Sequence, residues 1–418
     1  MSTNSTISSF LKKASIYEVN MRQFSARGDF NSVQQHLPRL RDMGVDILWL
    51  MPIHPIGLIN RKGSLGSYYS IRDFFDVNPE FGTKADFRNL VSAAHRLELK
   101  VIIDWVANHA AYDNTWVKSN PDFFLKDDKG QFISPYDWSD VIQIDHSSEA
   151  AHDALRAAML YWIQEFDVDG FRADLAHLTP LHFWIKARQL TESIKPNLIW
   201  LAESEDMEYY QAFDILYAWP WMRQADSYFR NRQETSWLIQ MLRSQQPAFP
   251  SHALQLYFTT NHDENSWNGT EYEKYGVCAK ALAVFSFTYP RSVPLIYSGQ
   301  EIPNLKRLLF FDKDELCWVH GASLENFYST LIKLRKTSKA PDSVEFIPSG
   351  NKILAFKRGN GENSLLVFLN LDEKENTVEY QDAEVTGIYR DIFDQRDMDL
   401  SRPLSINLEP GGFLVLEK

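Results

Sequence analysis

The stretch Asp46–Met51 (DILWLM) is almost wholly apolar and comes after a segment, Phe30–Met43, whose apolar residues recur at helical spacing. A strand without a polar face has to be covered on both sides, which is the condition of a parallel sheet clothed in helices. The same order repeats along the chain. Strands are expected at Ala14–Asn20, Asp46–Met51, Lys100–Val106, Gly170–Leu175, Leu198–Ala202, Phe213–Tyr217, Leu254–Thr260 and Ser292–Tyr297. Helices are expected at Phe30–Met43, Lys84–Leu97 with Thr83 as its cap, Glu149–Phe166, Leu181–Ile194, Gln233–Ser244, Tyr272–Phe285 and Leu324–Arg335. Eight strand-helix units predict an α/β fold, a closed (β/α)8 TIM barrel.

Two segments depart from this rhythm. Asn108–Ser148 is too long for an ordinary connection and is rich in Asp, Pro, Gly and aromatics, so a short excursion after the third strand, forming a cleft wall or lid, is expected there. Beyond about Pro341, short strand-like runs alternate with Gly, Asn and Asp turns, which predicts a C-terminal antiparallel β domain. The expected division is a barrel over 1–109 and 149–340, an inserted subdomain over 110–148 and an antiparallel β-sandwich over 341–418. The C-terminal piece reads first as a stabilising appendage.

With 44% hydrophobic and 23% charged residues among 418, the chain can bury a sizeable core. A formal charge of -12 disfavours nucleic acid or an anionic membrane as partner. Cys278 and Cys317 are too few for a disulfide framework and read as free buried thiols. The opening Met1–Phe10 is polar, and Lys12, Lys13 and Glu18 interrupt the apolar pieces after it, so neither a secretion signal nor a membrane span is expected. This favours the cytoplasm, or the periplasm or exterior if a signal has been removed. Monomer or weak oligomer is the expected state.

The chemistry lies at the strand ends. In a parallel barrel the carboxyl ends of the strands surround the active site. Asp104 and His109 end or follow strand three, Arg172 and Asp174 end strand four, Glu203 ends strand five, and His262 with Asp263 follow strand seven. Arg172 and Asp174, two apart on one strand, share a face. Such a pair can be purely structural, but three further acidic strand ends suggest either acetal hydrolysis or a metal centre. His109, His262 and the acids could supply metal ligands, although no HExxH, HxH or three-histidine pattern is present.

Cleaving a glycosidic bond with retention needs an ionised nucleophile and a protonated acid about 5 Å apart. Neighbouring strands lie about 4.8 Å apart, which suits Asp174 and Glu203. Arg172 is expected to lower the Asp174 pKa, and Glu203, close to like charges, is the candidate for a raised pKa and the acid/base role. Asp263 could then stabilise the cationic transition state, His262 and His109 could donate to hydroxyls, and Tyr69 could underlie the sugar ring. Aromatics at 14%, with 12 Trp and 18 Tyr, add a weak hint of a sugar-binding cleft.

These residues resemble the alpha-amylase superfamily, glycoside hydrolase family 13, over essentially the whole chain. Its first motif is similar to Asp104-Trp105-Val106-Ala107-Asn108-His109, its second to Gly170-Phe171-Arg172-Ala173-Asp174, its third to Leu201-Ala202-Glu203 and its fourth to Phe258–Asp263 (FTTNHD). The resemblance implies Asp174 as nucleophile, Glu203 as general acid/base and Asp263 as transition-state stabiliser. It implies Arg172, His109 and His262 as sugar-binding and charge-organising residues, Tyr69 as the stacking tyrosine, and Asp104 and Asn108 as supports of the first motif.

Two positions depart from the family pattern. Many endo-acting members carry Lys-His after the second motif, where this chain has His177 and Leu178. That leaves the acceptor side, to which His177 would contribute, open in shape. Calcium is possible rather than expected: Asn108 is the candidate ligand and a backbone carbonyl ligand survives the change to Leu178, but the Asp residues of the short excursion are not matched to the family's other ligands, and no cofactor is required. The expected activity is hydrolysis of alpha-1,4-glucosidic bonds in starch fragments or malto-oligosaccharides by double displacement. An exo-acting alpha-glucosidase or a glucosyl transferase would share these residues, and a non-catalytic carbohydrate-binding protein is the remote alternative.

Overall fold

The computed structural model describes residues 5–245, 249–318 and 323–418. The first four residues of the polar opening segment lie outside the described residues. Eight parallel strands close into a barrel: Ile16–Val19, Ile47–Leu50, Lys100–Val106, Gly170–Asp174, Ile199–Ala202, Ile215–Tyr217, Leu254–Tyr257 and Ser292–Tyr297. Each is paired with its sequence neighbours, and the first closes on the last through Ile16 opposite Leu295. Every residue of the second strand is buried, as its lack of a polar face requires.

Local signals place the helices. Asp29 caps Phe30–Met43 by accepting the Ser32 N–H, and Gly44 ends it in a left-handed conformation at φ 101°. Thr83 and Asp86 form a reciprocal capping box on Lys84–Arg96. Two helices differ from expectation. Trp219–Asn231 falls outside the expected set, because Pro220 reads as a breaker, yet it occupies the first turn, where its missing N–H costs nothing. The helix expected across Tyr272–Phe285 is divided into Glu271–Tyr275 and Ala279–Thr288 by a turn at Gly276, which has φ 54°.

Strand four lies close against strand five. A Cβ on Gly170 would sit 2.0 Å from the Ile199 carbonyl oxygen, so only glycine permits this approach. The consequence is a fixed register, with Arg172 opposite Leu201 and Ala173 opposite Ala202. Asp174 and Glu203 are therefore the next lateral neighbours.

The excursion contains paired strands His109–Ala111 and Val141–Gln143 and a short helix, Thr115–Ser119. At the C-terminus a six-stranded antiparallel sheet faces a two-stranded sheet of Asn376–Tyr380 and Leu404–Leu408. Alternation divides its side chains between two cores. Ile353, Ala355, Leu366 and Phe368 meet Val378 and Ile406 of the small sheet, whereas Leu354, Phe356 and Val367 join the barrel's core. Cys278 is buried as expected, but Cys317 is exposed, because it lies in the irregular segment after strand eight and its neighbour Trp318 takes the inward place. Among the described residues no helix is long and apolar enough to cross a membrane.

Candidate active site

A cleft of about 620 Å³ opens at the carboxyl ends of the strands. Tyr69, His109, Asp174, Glu203 and Asp263 all line it, together with Trp267, Phe310 and Phe311. Beneath them Arg172 is fully buried, 0% exposed, and its guanidinium serves three acids. Nη1 donates to Asp104 Oδ1 at 2.9 Å and to Asp174 Oδ1 at 3.0 Å, while Nη2 donates to Glu203 Oε2 at 2.8 Å. Its Nε donates to the Tyr217 hydroxyl at 3.2 Å, and its charge lies over the Trp49 ring at 4.9 Å.

The backbone after strand four completes the hold on Glu203. Leu175 adopts a left-handed conformation, φ 40°, and its N–H donates to Glu203 Oε2 at 2.9 Å. A leucine in that region is strained, and such strain tends to collect where function fixes the geometry. Asp174 Oδ2, by contrast, is buried without a protein hydrogen bond.

Contrary to the expectation from their spacing, Arg172 does not hold Asp174 below the usual carboxylate range. Burial pushes the Asp174 carboxyl well above that range, and Glu203, Asp104 and Asp263 add to the rise against the opposing pull of Arg172. The physical reason is division: one guanidinium is shared by three carboxyls in a dry floor. Asp104 is raised as well, by burial first, despite Arg172 and His262.

A second chain of bonds enters from strands one and seven. His262 Nδ1 pairs with Glu18 Oε1 at 2.5 Å, and Nε2 meets the Tyr69 hydroxyl at 2.6 Å and Asp263 Oδ2 at 3.2 Å. Burial opposes a charge on this imidazole, but Asp263 and Glu18 outweigh it and raise its pKa well above the ordinary value. As an imidazolium, His262 donates on both sides, and the Tyr69 hydroxyl in turn donates to Asp104 Oδ2 at 3.1 Å. Asp263 is lowered, because His262 and Arg172 overcome its burial. His109 is the opposite case: burial lowers it to about 4, so it presents a neutral ring to the cleft beside Trp138.

Glu18→Gln removes one of the two acids that keep His262 protonated. The His262 pKa is expected to fall, which a pH titration of its ring signals by NMR reads directly. An unchanged titration would show that Glu18 does not set this charge.

The remaining site candidates divide by position. Asp104, Arg172 and His262 form the buried layer under the cleft and do not line it. His177 lies exposed on the turn Ala176–Leu178, two residues beyond Leu175 of the cleft lining, and is not itself among the lining residues. Asn108 is buried, its amide donates to His109 Nδ1 at 3.3 Å, and its carbonyl accepts the Ile144 N–H at 3.0 Å. Among the described residues no three His, Cys, Asp or Glu side chains converge to hold a metal ion.

Sequence reasoning misses several participants. Glu18 is easily passed over inside an apolar strand, although a lone acid among Ile16, Tyr17 and Val19 is itself a signal. Phe310, Phe311, Trp267 and Lys62 come from loops, where no periodicity points to them.

Comparison with known proteins accords with this arrangement. Residues 2–146 match the family described as alpha amylase, catalytic domain. An alpha-amylase structure from Lactobacillus plantarum is similar at 30% identity and TM-score 0.89, covering 97% of this chain and 99% of that one. A noncanonic maltogenic alpha-amylase from Thermotoga neapolitana is similar at 31% identity and TM-score 0.88, covering 97% and 98%. Alpha-amylase 2 of Dictyoglomus thermophilum is 25% identical over 408 residues, which span 90% of this chain and 69% of that protein. With a closed barrel, acids gathered at the carboxyl ends of its strands and relatives similar from end to end, the chain belongs to the alpha-amylase superfamily, glycoside hydrolase family 13.

Proposed function

We propose that the protein is a retaining alpha-glucan hydrolase that cleaves alpha-1,4-glucosidic bonds of malto-oligosaccharides or starch fragments by double displacement. The observation that carries this reading is the single guanidinium bonded by Asp174 and Glu203 at laterally adjacent strand ends on the cleft floor. Paired carboxyls at neighbouring strand ends suit the separation of about 5–5.5 Å that retention needs. The names of the relatives, alpha-amylases, cyclomaltodextrinases and a maltogenic alpha-amylase, support the same substrate class.

Glu203 donates its proton to the glycosidic oxygen as that bond breaks, and Asp174, through the unbonded Oδ2, attacks the anomeric carbon. Water then enters, Glu203 takes its proton, and the ester to Asp174 is released with a second inversion. Double displacement runs from the state in which Asp174 is ionised and the proton to be donated is on Glu203. Asp263, held by the charged His262, grips ring hydroxyls, and Tyr69 lies under the ring. No step runs through a metal.

Retention is checked by proton NMR in the first minutes of maltoheptaose hydrolysis. The alpha anomer should appear first at the new reducing end, and initial beta anomer would sink the double displacement.

A further inference from the structure

The cleft is asymmetric about the acid. Strand five, which carries Glu203, stands opposite strand one in the closed ring. A general acid reaches the leaving oxygen from its own side, so the leaving part of a glucan lies toward strand five. The part retained on Asp174 therefore runs toward the rim above strands eight, one and two.

That rim is built up and stitched shut. Loops after strands two and eight are joined backbone to backbone, the Leu65 N–H donating to the Phe311 carbonyl at 2.9 Å. The Ser64 N–H donates to Asp312 Oδ1 at 2.7 Å. Arg22, buried after strand one, donates to the carbonyls of Gly66, Leu65 and Phe310 at 3.0, 3.1 and 3.3 Å. From the loop after strand two, Lys62 then crosses to the excursion and pairs with Asp140 Oδ1 at 2.9 Å, its ammonium 5.9 Å from the Phe311 ring centre. The Asp140 side chain is 5% exposed and its carbonyl is held by the Ser70 hydroxyl. Lys62, Asp140, Phe310 and Phe311 all face the cleft.

We propose that the Lys62–Asp140 pair is a latch that ends the cleft beyond the retained sugars, so that the protein attacks glucans from the non-reducing chain end and releases a short product of uniform length. This rests on the reading of Glu203 as the acid of an alpha-glucan hydrolase. The loop after strand two and the excursion meet at this ion pair, beside Phe311 of the loop after strand eight, and a chain passing through the cleft would have to displace it. The cleft of about 620 Å³ has room for only a few pyranose rings on both sides of the cut together.

The test uses the full protein and two substrates: maltoheptaose, and maltoheptaose whose terminal 4- and 6-hydroxyls are capped by an ethylidene group, both labelled at the reducing end. The wild type should release one short unlabelled product from the first substrate and cut the capped one at least about tenfold more slowly. Lys62→Ala and Asp140→Asn should raise the ratio of capped to uncapped turnover about tenfold and spread the product lengths. Lys62→Met keeps the aliphatic stem against Phe311 without the charge, and should act in the same direction if the alanine variant does not fold. Equal cutting of both substrates by the wild type, or an unchanged ratio in folded latch variants, overturns the latch and leaves the hydrolase reading standing. No cutting of either substrate overturns both.

Discussion

Asp174→Gly is expected to lose about 10⁴-fold or more in kcat on malto-oligosaccharides, because no second group stands ready to form the covalent bond. The fold should survive, since the change removes a buried acid whose Oδ2 has no protein partner. Melting temperature is expected to hold or rise slightly. The glycine leaves room for a small anion beside Arg172, and with an alpha-glycosyl fluoride as donor, azide should restore turnover and yield the beta-glycosyl azide. That product would identify the face from which Asp174 attacks. Turnover within tenfold of the wild type, or a rescued product of alpha configuration, would remove Asp174 from the role of nucleophile.

Arg172→Met should be the most destabilising change on the cleft floor. It leaves Asp104, Asp174 and Glu203 together in a dry site without their common cation, and breaking a buried pair in this way costs about 3–5 kcal/mol. The loss should depend on pH in a defined direction. Asp104 and Asp174 already bind protons more tightly in the fold than carboxyls do in an unfolded chain, and losing the arginine raises them further. Acid therefore favours the folded variant, and the stability deficit grows as pH rises through the raised folded values. Urea unfolding at pH 5 and pH 8 measures this. A deficit that is equal at both, or larger in acid, would mean that the guanidinium contributes by packing against Trp49 and Tyr217 rather than by charge.

The barrel is legible in the sequence because its strands are short apolar runs and its helices carry their own caps. Lys100–Val106, Ser292–Tyr297 and Glu149–Phe166 fall where their patterns predict. The acids at strand ends are visible for the same reason, since Asp104 and Glu203 interrupt or end apolar runs that have no other cause to do so. The hidden part is mutual. Arg172 and Asp174 are two residues apart, so their pairing suggests a lowered acid, but Asp104 and Glu203, which divide the same charge, are 68 and 31 residues away from the arginine. The aromatic wall is hidden for a related reason. Phe310, Phe311 and Trp267 have no periodic context, and their place is set by loop-to-loop bonds that only the closed barrel creates. The helix Trp219–Asn231 escapes notice through a simpler cause, a proline that reads as a stop and stands at a start.

On the latch proposed above, the stitched rim above strands eight, one and two would also govern traffic. A cleft ended on that side would have one mouth, so the piece that reacts would be the last part of the chain to leave it. After each cut the remaining polymer must withdraw before the short sugar behind it can escape, and it must then find the mouth again. Such an enzyme works by separate encounters rather than by sliding, and its pace on long chains depends on the number of free ends in solution rather than the mass of glucan.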